Sequence, residues 1–176
     1  MTYNIPPKIY IACLASYNNG ILHGAWVDAA LGIDHIQDAL HAILKSSPIA
    51  GAEEWAVHDY EGFETLNISE YEGFNSICEK AEFIENHGAL GAVLADYFCG
   101  DLEEAEQALE EQYCGSYDNL TDYARGFYEE CGMLSDVPEH IERYIDFEAI
   151  GRDMDMAGDI FTIEHDGVCH IFHAHA

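Results

Sequence analysis

Residues 9–27 read IYIACLASYNNGILHGAWV, and this stretch decides how the fold begins. Residues 9–14 are a short apolar run of strand-like composition. Asn18-Asn19-Gly20 follows, a hairpin signal because these residues accept positive φ. Residues 22–27 then return as a second strand. Asp34 and Gln37 stand at capping-box spacing and open an expected helix, with Ile36, Leu40, Ile43 and Leu44 on one face. Pro48 and Gly51 end it. Residues 54–58 read as a third strand with Trp55 and Val57 on one face. The first module is thus a small antiparallel sheet carrying one helix.

The next stretch is helical. Ser69 and Glu72 form a second capping-box pattern. Phe74, Ile77, Cys78, Ala81 and Ile84 make a helical stripe that stops near Gly88, and residues 89–98 give a shorter apolar helix closed by Gly100. Asp101 and Glu104 start another, with Leu102, Ala105 and Leu109 inward, and Gly115 ends the last helix of this part. Residues 122–131 are helical through Tyr123, Phe127 and Cys131. Pro138, at a first-turn position, opens a helix through residue 150 with Ile141, Tyr144 and Ile145 inward. Residues 160–163 and 168–172 read as strands joined at Asp166-Gly167. The predicted class is α+β, elongated, in three small domains: an N-terminal sheet-and-helix module (1–66), a central acidic helical module (67–113), and a C-terminal module of helices with a small sheet (114–176).

Charge separates this chain from most domains of its size. It holds 34 Asp+Glu against 6 Lys+Arg, a formal net charge of −28 in 176 residues. A 49% hydrophobic and 12% aromatic composition is too apolar for a disordered acidic tail, so the acids decorate a folded body. Self-repulsion of that size costs stability, disfavours bare nucleic acid and anionic membrane as partners, and favours a basic one. Residues 81–124 contain no Lys or Arg but eleven acids: Glu82, Glu85, Asp96, Asp101, Glu103, Glu104, Glu106, Glu110, Glu111, Asp118 and Asp122. Glu103/Glu106 and Glu106/Glu110 are like-charge neighbours on a helix, each pair costing about 0.2–0.5 kcal/mol. First-turn acids are explained by the helix dipole; Glu110 and Glu111, at the wrong end of it, are not. Duplex DNA carries one charge per about 1.7 Å of axis, so 28 charges correspond to about 48 Å of duplex.

Chemistry-bearing patterns are weak by comparison. Cys169-His170-x-x-His173-x-His175 has metal-ligand residue types, but no second ligand cluster stands at structural-zinc spacing. Asp153-x-Asp155-x-Ala157-Gly158-x5-Glu164 approaches a calcium loop, yet the fifth position is Ala157 and the residues after Glu164 are strand-like. Six cysteines lie in apolar stretches without a C-x-x-C pair, as expected of buried reduced thiols. His58-Asp59 fits a strand end, and Ser16, Ser46, Ser47 and Ser69 occupy turn or cap contexts. No nucleophile elbow, phosphate loop or dinucleotide fingerprint is present, and no enzymatic activity, cofactor or metal is expected. No run of apolar residues is long enough to span a membrane, and residues 1–8 lack the features of a signal peptide, so a cytoplasmic protein is expected.

Particular blocks carry a resemblance. Ile9-Tyr10-Ile11-Ala12 through Tyr17-Asn18-x-Gly20-x-Leu22-x-Gly24-x-Trp26 resembles the opening block of the ArdA-type antirestriction proteins, and Glu54-Trp55-Ala56-Val57-His58-Asp59-Tyr60-Glu61 their next. Leu94-Ala95-Asp96, the acidic helix, and Tyr113-x-Gly115-x-Tyr117 to Asp122-Tyr123-Ala124 resemble the segment called the antirestriction motif. Tyr144-Ile145-Asp146-x-x-Ala149-x-Gly151-Arg152-Asp153 with Gly158-Asp159 resembles the closing block. The resemblance implies a protein of plasmids and conjugative transposons. It implies three small domains in an elongated homodimer joined through the last, and inhibition of type I restriction–modification enzymes by mimicry of bent B-form DNA.

The expected partner surface is therefore Asp96, Asp101, Glu103, Glu104, Glu106, Glu110, Glu111, Asp118 and Asp122, extended by Glu53, Glu54, Glu61, Glu64, Glu70, Glu72, Glu82 and Glu85. Its expected partner is the methyltransferase core of a type I restriction–modification enzyme, with no direct nucleic-acid or membrane binding. The alternative reading is an acidic interaction adaptor without DNA mimicry.

Overall fold

The computed structural model describes residues 5–174 and has a mixed α+β fold. Among these residues are two three-stranded antiparallel sheets and seven α-helices, in two compact units, residues 1–102 and 103–176.

In the first unit β1 (Lys8–Cys13) lies between β2 (Gly24–Asp28) and β3 (Trp55–Glu61), antiparallel to both. The β1–β2 connection is longer than the tight turn the sequence suggested. A four-residue helix α1 (Leu14–Tyr17) follows β1, Gly20 turns at φ +73°, and strand pairing resumes only at Gly24. Exposed Leu22 is outside the strand. β3 starts one residue later than expected and runs three further. Its partner register steps from Tyr10↔Asp59 to Ile11↔Val57, leaving His58 as a bulge residue.

Helix α2 (Ile33–Lys45) buries Ile36 and Ile43 and packs on β1 and β2. The Asp34/Gln37 capping box does not form, because the helix begins at Ile33 behind Gly32 and no side chain caps it. Asp34 instead occupies the first turn, where the dipole favours its charge. Helix α3 (Phe74–Tyr97) buries Ile77, Ala81, Phe83 and Ile84 before the break at Gly88, and Gly91, Ala92, Leu94 and Ala95 after it. Gly88 holds φ +63°, ψ −160°, a conformation that a Cβ disfavours, so the sequence-predicted stop at this residue is a backbone necessity.

In the second unit α4 (Leu102–Gln107) runs into a π-helical turn, Ala108–Gln112, and then directly into β4 (Tyr113–Tyr117). The sequence reading placed a helix end at Gly115. Gly115 is instead a strand residue at φ +127°, where the β4–β6 register slips. The short segment YCGSY has little apolar periodicity of its own and becomes a strand by pairing with β6 (Val168–His173), whose other edge carries β5 (Ile160–His165). The β5–β6 turn forms as expected, with Asp166 and Gly167 both left-handed at φ +51° and +75°.

Asn119 caps α5 (Leu120–Glu130) by accepting the Asp122 N–H at 3.0 Å. The single helix expected from Pro138 to residue 150 is two: α6 (Glu139–Glu142) behind Pro138 as N-cap, and α7 (Phe147–Ala157), restarted where the Asp146 carboxylate accepts the Ala149 N–H at 2.9 Å. Ile141 and Tyr144, expected inward, are 46% and 75% exposed. α5 packs against α7. A Cβ on Gly151 would stand 2.7 Å from the Leu120 carbonyl oxygen, so this approach requires glycine. Tyr123, Ile160, Cys169 and Ile171 form the buried cluster between helices and sheet.

All six cysteines are free thiols, but only Cys13 and Cys169 are buried. Cys99 and Cys131 are exposed, contrary to the expectation of uniformly buried thiols. Among the described residues no helix is long and apolar enough to cross a membrane.

Gly88→Ala should lower unfolding stability by about 1–3 kcal/mol while leaving the fold intact, because space is open around the added methyl but the backbone conformation is not. A urea midpoint equal to wild type would show that the break relaxes freely.

Candidate functional site

The carboxylates expected to meet a partner can be followed one by one. Sixteen of the seventeen are exposed. In the second unit, Ala105 and Ala108 are buried against the body, which turns Glu103, Glu104, Glu106, Glu110 and Glu111 to solvent. The π-helical turn touches β4 and β6, so it is anchored by the sheet despite repulsion along its outer face. Leu109, expected inward, is only half-buried.

Two of these acids are ordered by neutral amides. Gln107 Nε2 donates to Glu111 Oε2 at 3.0 Å, and Asn119 Nδ2 donates to Asp122 Oδ2 at 2.9 Å. An amide fixes a carboxylate without cancelling its charge. Two of the six cations lie over aromatic rings instead. The Arg125 guanidinium lies 5.0 Å over the Phe147 ring, and that of Arg143 5.4 Å over Tyr144.

Glu72 is the exception in the expected set. Its side chain is 12% exposed and pairs with Lys80 at 2.6 Å. It also accepts from the Ser76 hydroxyl at 2.6 Å and the Ser69 N–H at 2.9 Å. The capping-box bond is thus made, but in a turn ahead of α3, which starts behind Gly73. Glu72 presents no free charge to a partner; it ties this turn to the helix. Burial raises its pKa, but the bonds from Lys80, Ser76 and Ser69 prevail and hold it below the ordinary value of 4.5.

Two clefts interrupt the acidic surface of the first unit. One, of about 540 Å³, is lined by Leu14, Glu53, Glu54, Trp55 and Tyr71. The other, of about 440 Å³, is lined by Tyr17, Val57, His58, Asp59, Tyr60, Ile68 and Glu70. Aromatic rings among carboxylates were not singled out from the sequence, although Glu70-Tyr71-Glu72 places a tyrosine between two acids. Sequence reasoning also left the exposed acids Glu148, Asp153, Asp155 and Asp159, on and after α7, out of the expected partner surface.

That calcium-loop pattern is taken apart by the fold. Asp153 and Asp155 belong to α7, Gly158 is its left-handed C-cap, and Glu164 is in β5. The Cys169/His170 pair is divided by strand alternation: Cys169 enters the buried cluster, whereas His170 Nδ1 lies 2.9 Å from the Tyr113 hydroxyl. Burial, with Glu164 nearby, pushes the Cys169 thiol up to about 11. His173 is exposed and His175 lies outside the described residues. Among the described residues, no group of three or more His, Cys, Asp or Glu side chains is arranged to hold a metal ion.

A family model described as Antirestriction protein (ArdA) matches residues 9–169. The chain belongs to the ArdA antirestriction family. A comparison with curated proteins finds no match. Membership carries the function of the family, antirestriction, and with it an interaction with restriction enzymes. ArdA is a family of inhibitors, and the exposed acids of this member are its most extensive chemical feature.

Because the folded-state pKa of Glu72 is depressed, its contribution to stability is present above the unfolded value and is lost as pH falls through the folded one. Glu72→Gln should therefore lower the thermal midpoint at pH 7, with the gap to wild type closing as pH falls below about 4. A gap independent of pH would remove the ion pair from this account.

Proposed function

We propose that this ArdA protein is a non-enzymatic DNA mimic. Its carboxylates stand in for phosphates and occupy the basic DNA-binding groove of the methyltransferase core of a type I restriction–modification enzyme, so that incoming DNA is neither cleaved nor modified. The observation that carries this reading is the 81–124 stretch: eleven acids, no cation, and every one of those acids exposed. Glu103, Glu104, Glu106, Glu110 and Glu111 fall within eight residue steps, about 12 Å at the α-helical rise. Five charges in that length approach the density of a duplex, about seven. Glu53, Glu54, Glu61, Glu64, Glu70, Glu82 and Glu85 add to the surface from the first unit, and Glu72 drops out of the set. An adaptor without DNA mimicry would need the acids but not this density.

The three-module division at residues 66 and 113, action in the cytoplasm, carriage on mobile DNA and homodimerisation through residues 114–176 belong to the same proposal. Exposed Met133, Ile141, Tyr144 and Met156 supply apolar area in that last module suited to a second copy.

In a competition assay, the protein should displace target duplex from a purified type I enzyme at low salt, with apparent affinity falling linearly in log–log form as salt rises. Single Glu→Gln changes in the 103–111 segment should weaken inhibition by no more than about fivefold, since exposed pairs are each worth about 0.2–1 kcal/mol. All five together should also flatten the salt slope. Undiminished DNA occupancy at low salt would end the mimicry proposal. Tyr144→Glu should yield a monomer by sedimentation if the C-terminal module dimerises; an unchanged mass would place the interface elsewhere or remove it.

A further inference from the structure

The cleft at Glu53, Glu54, Trp55 and Tyr71 offers more than negative charge. Its walls are pinned by backbone hydrogen bonds: the Leu14 N–H donates to the Glu54 carbonyl at 3.0 Å, and the Val57 N–H to the Glu70 carbonyl at 2.9 Å. The first fixes the start of β3 beside α1, and the second holds the 67–73 loop against β3. Trp55 is backed by Phe74, stacked at 4.3 Å, so it cannot collapse into the opening. Tyr71, 69% exposed, also lines the opening. Glu53 and Glu54 are both exposed at the rim. A preformed opening of about 540 Å³ thus combines two rings with two carboxylates.

We propose that this cleft receives an arginine side chain of the restriction enzyme's DNA-binding groove, its guanidinium stacked on aromatic surface and paired with Glu53 or Glu54. This rests on the DNA-mimic reading and deepens it. The chemistry selects arginine over lysine. A planar guanidinium stacks on a ring and can bridge carboxylate oxygens, whereas a strongly hydrated ammonium loses more on leaving water. A phosphate backbone has no ring to offer, so this contact would exceed mimicry. It adds an attraction that depends little on salt to one that depends strongly on it.

The test is the same competition assay with full-length Tyr71→Leu and Tyr71→Phe proteins, both expected to fold because the residue is exposed, with thermal midpoints as the check. Tyr71→Leu keeps every charge and should weaken inhibition about fivefold at unchanged salt slope. Tyr71→Phe keeps the ring and should stay within about twofold of wild type. Glu53→Gln with Glu54→Gln should reduce both affinity and slope. Wild-type inhibition by Tyr71→Leu, or equal losses in the leucine and phenylalanine proteins, would overturn the arginine site while leaving DNA mimicry standing. Failure of the wild-type protein to displace duplex would instead remove the mimicry on which the site rests.

Discussion

Repulsion among carboxylates is the constraint to which the rest of this structure answers. A net charge of −28 must be held on a body of 176 residues, and the sequence supplies few cations to relieve it. The fold responds by anchoring acidic segments from beneath. Small buried residues, Ala105 and Ala108, seat the most acidic helix and its π-helical continuation, and the sheet supports that continuation. Outward charge is tolerated because the inward face is fixed by burial.

Neutral donors complete the arrangement. Where a carboxylate is ordered, the partner is often an amide side chain or a backbone N–H, as at Glu111, Asp122 and Asp146. Such bonds reduce conformational freedom without neutralising charge. Glu72 shows the contrast: it is paired with Lys80, largely buried, and serves the local fold. Two carboxylates of identical chemistry thus serve different ends according to whether the nearest donor is charged.

The family match makes this chain an antirestriction protein, and the acidic surface is the ground on which DNA mimicry is proposed. An inhibitor relying on charge alone would share the salt sensitivity of its competitor and gain no advantage over it. The aromatic cleft proposed as an arginine site would add a contact that a phosphate backbone does not offer. In the first unit Trp55 stacks on Phe74 and exposed Tyr71 lines the same cleft, which is the ground for the arginine site proposed above.

The sequence alone determined most elements of both sheets and the break at Gly88. Short-range chemistry is sufficient there: apolar runs, Asp166-Gly167 in a turn requiring positive φ, and a glycine in a conformation other residues resist. It also determined the exposure of nearly all the acids, since an ionised carboxylate is too costly to bury unpaired. What only tertiary structure decided was β4, whose residues gain strand geometry from β6 and not from their own pattern. It decided the split between α6 and α7, because Asp146 caps a new helix where periodicity suggested continuation. It removed Glu72 from the anionic surface, because Lys80 is eight residues away in sequence but within reach in space. It brought Trp55 and Tyr71 to one cleft, because hydrogen bonds from the Val57 N–H to the Glu70 carbonyl and from the Tyr60 hydroxyl to Asn67 join strand and loop. Local chemistry fixes the conformation a residue prefers; pairing across the fold fixes which neighbours it meets, and one sequence read in order does not contain that second fact.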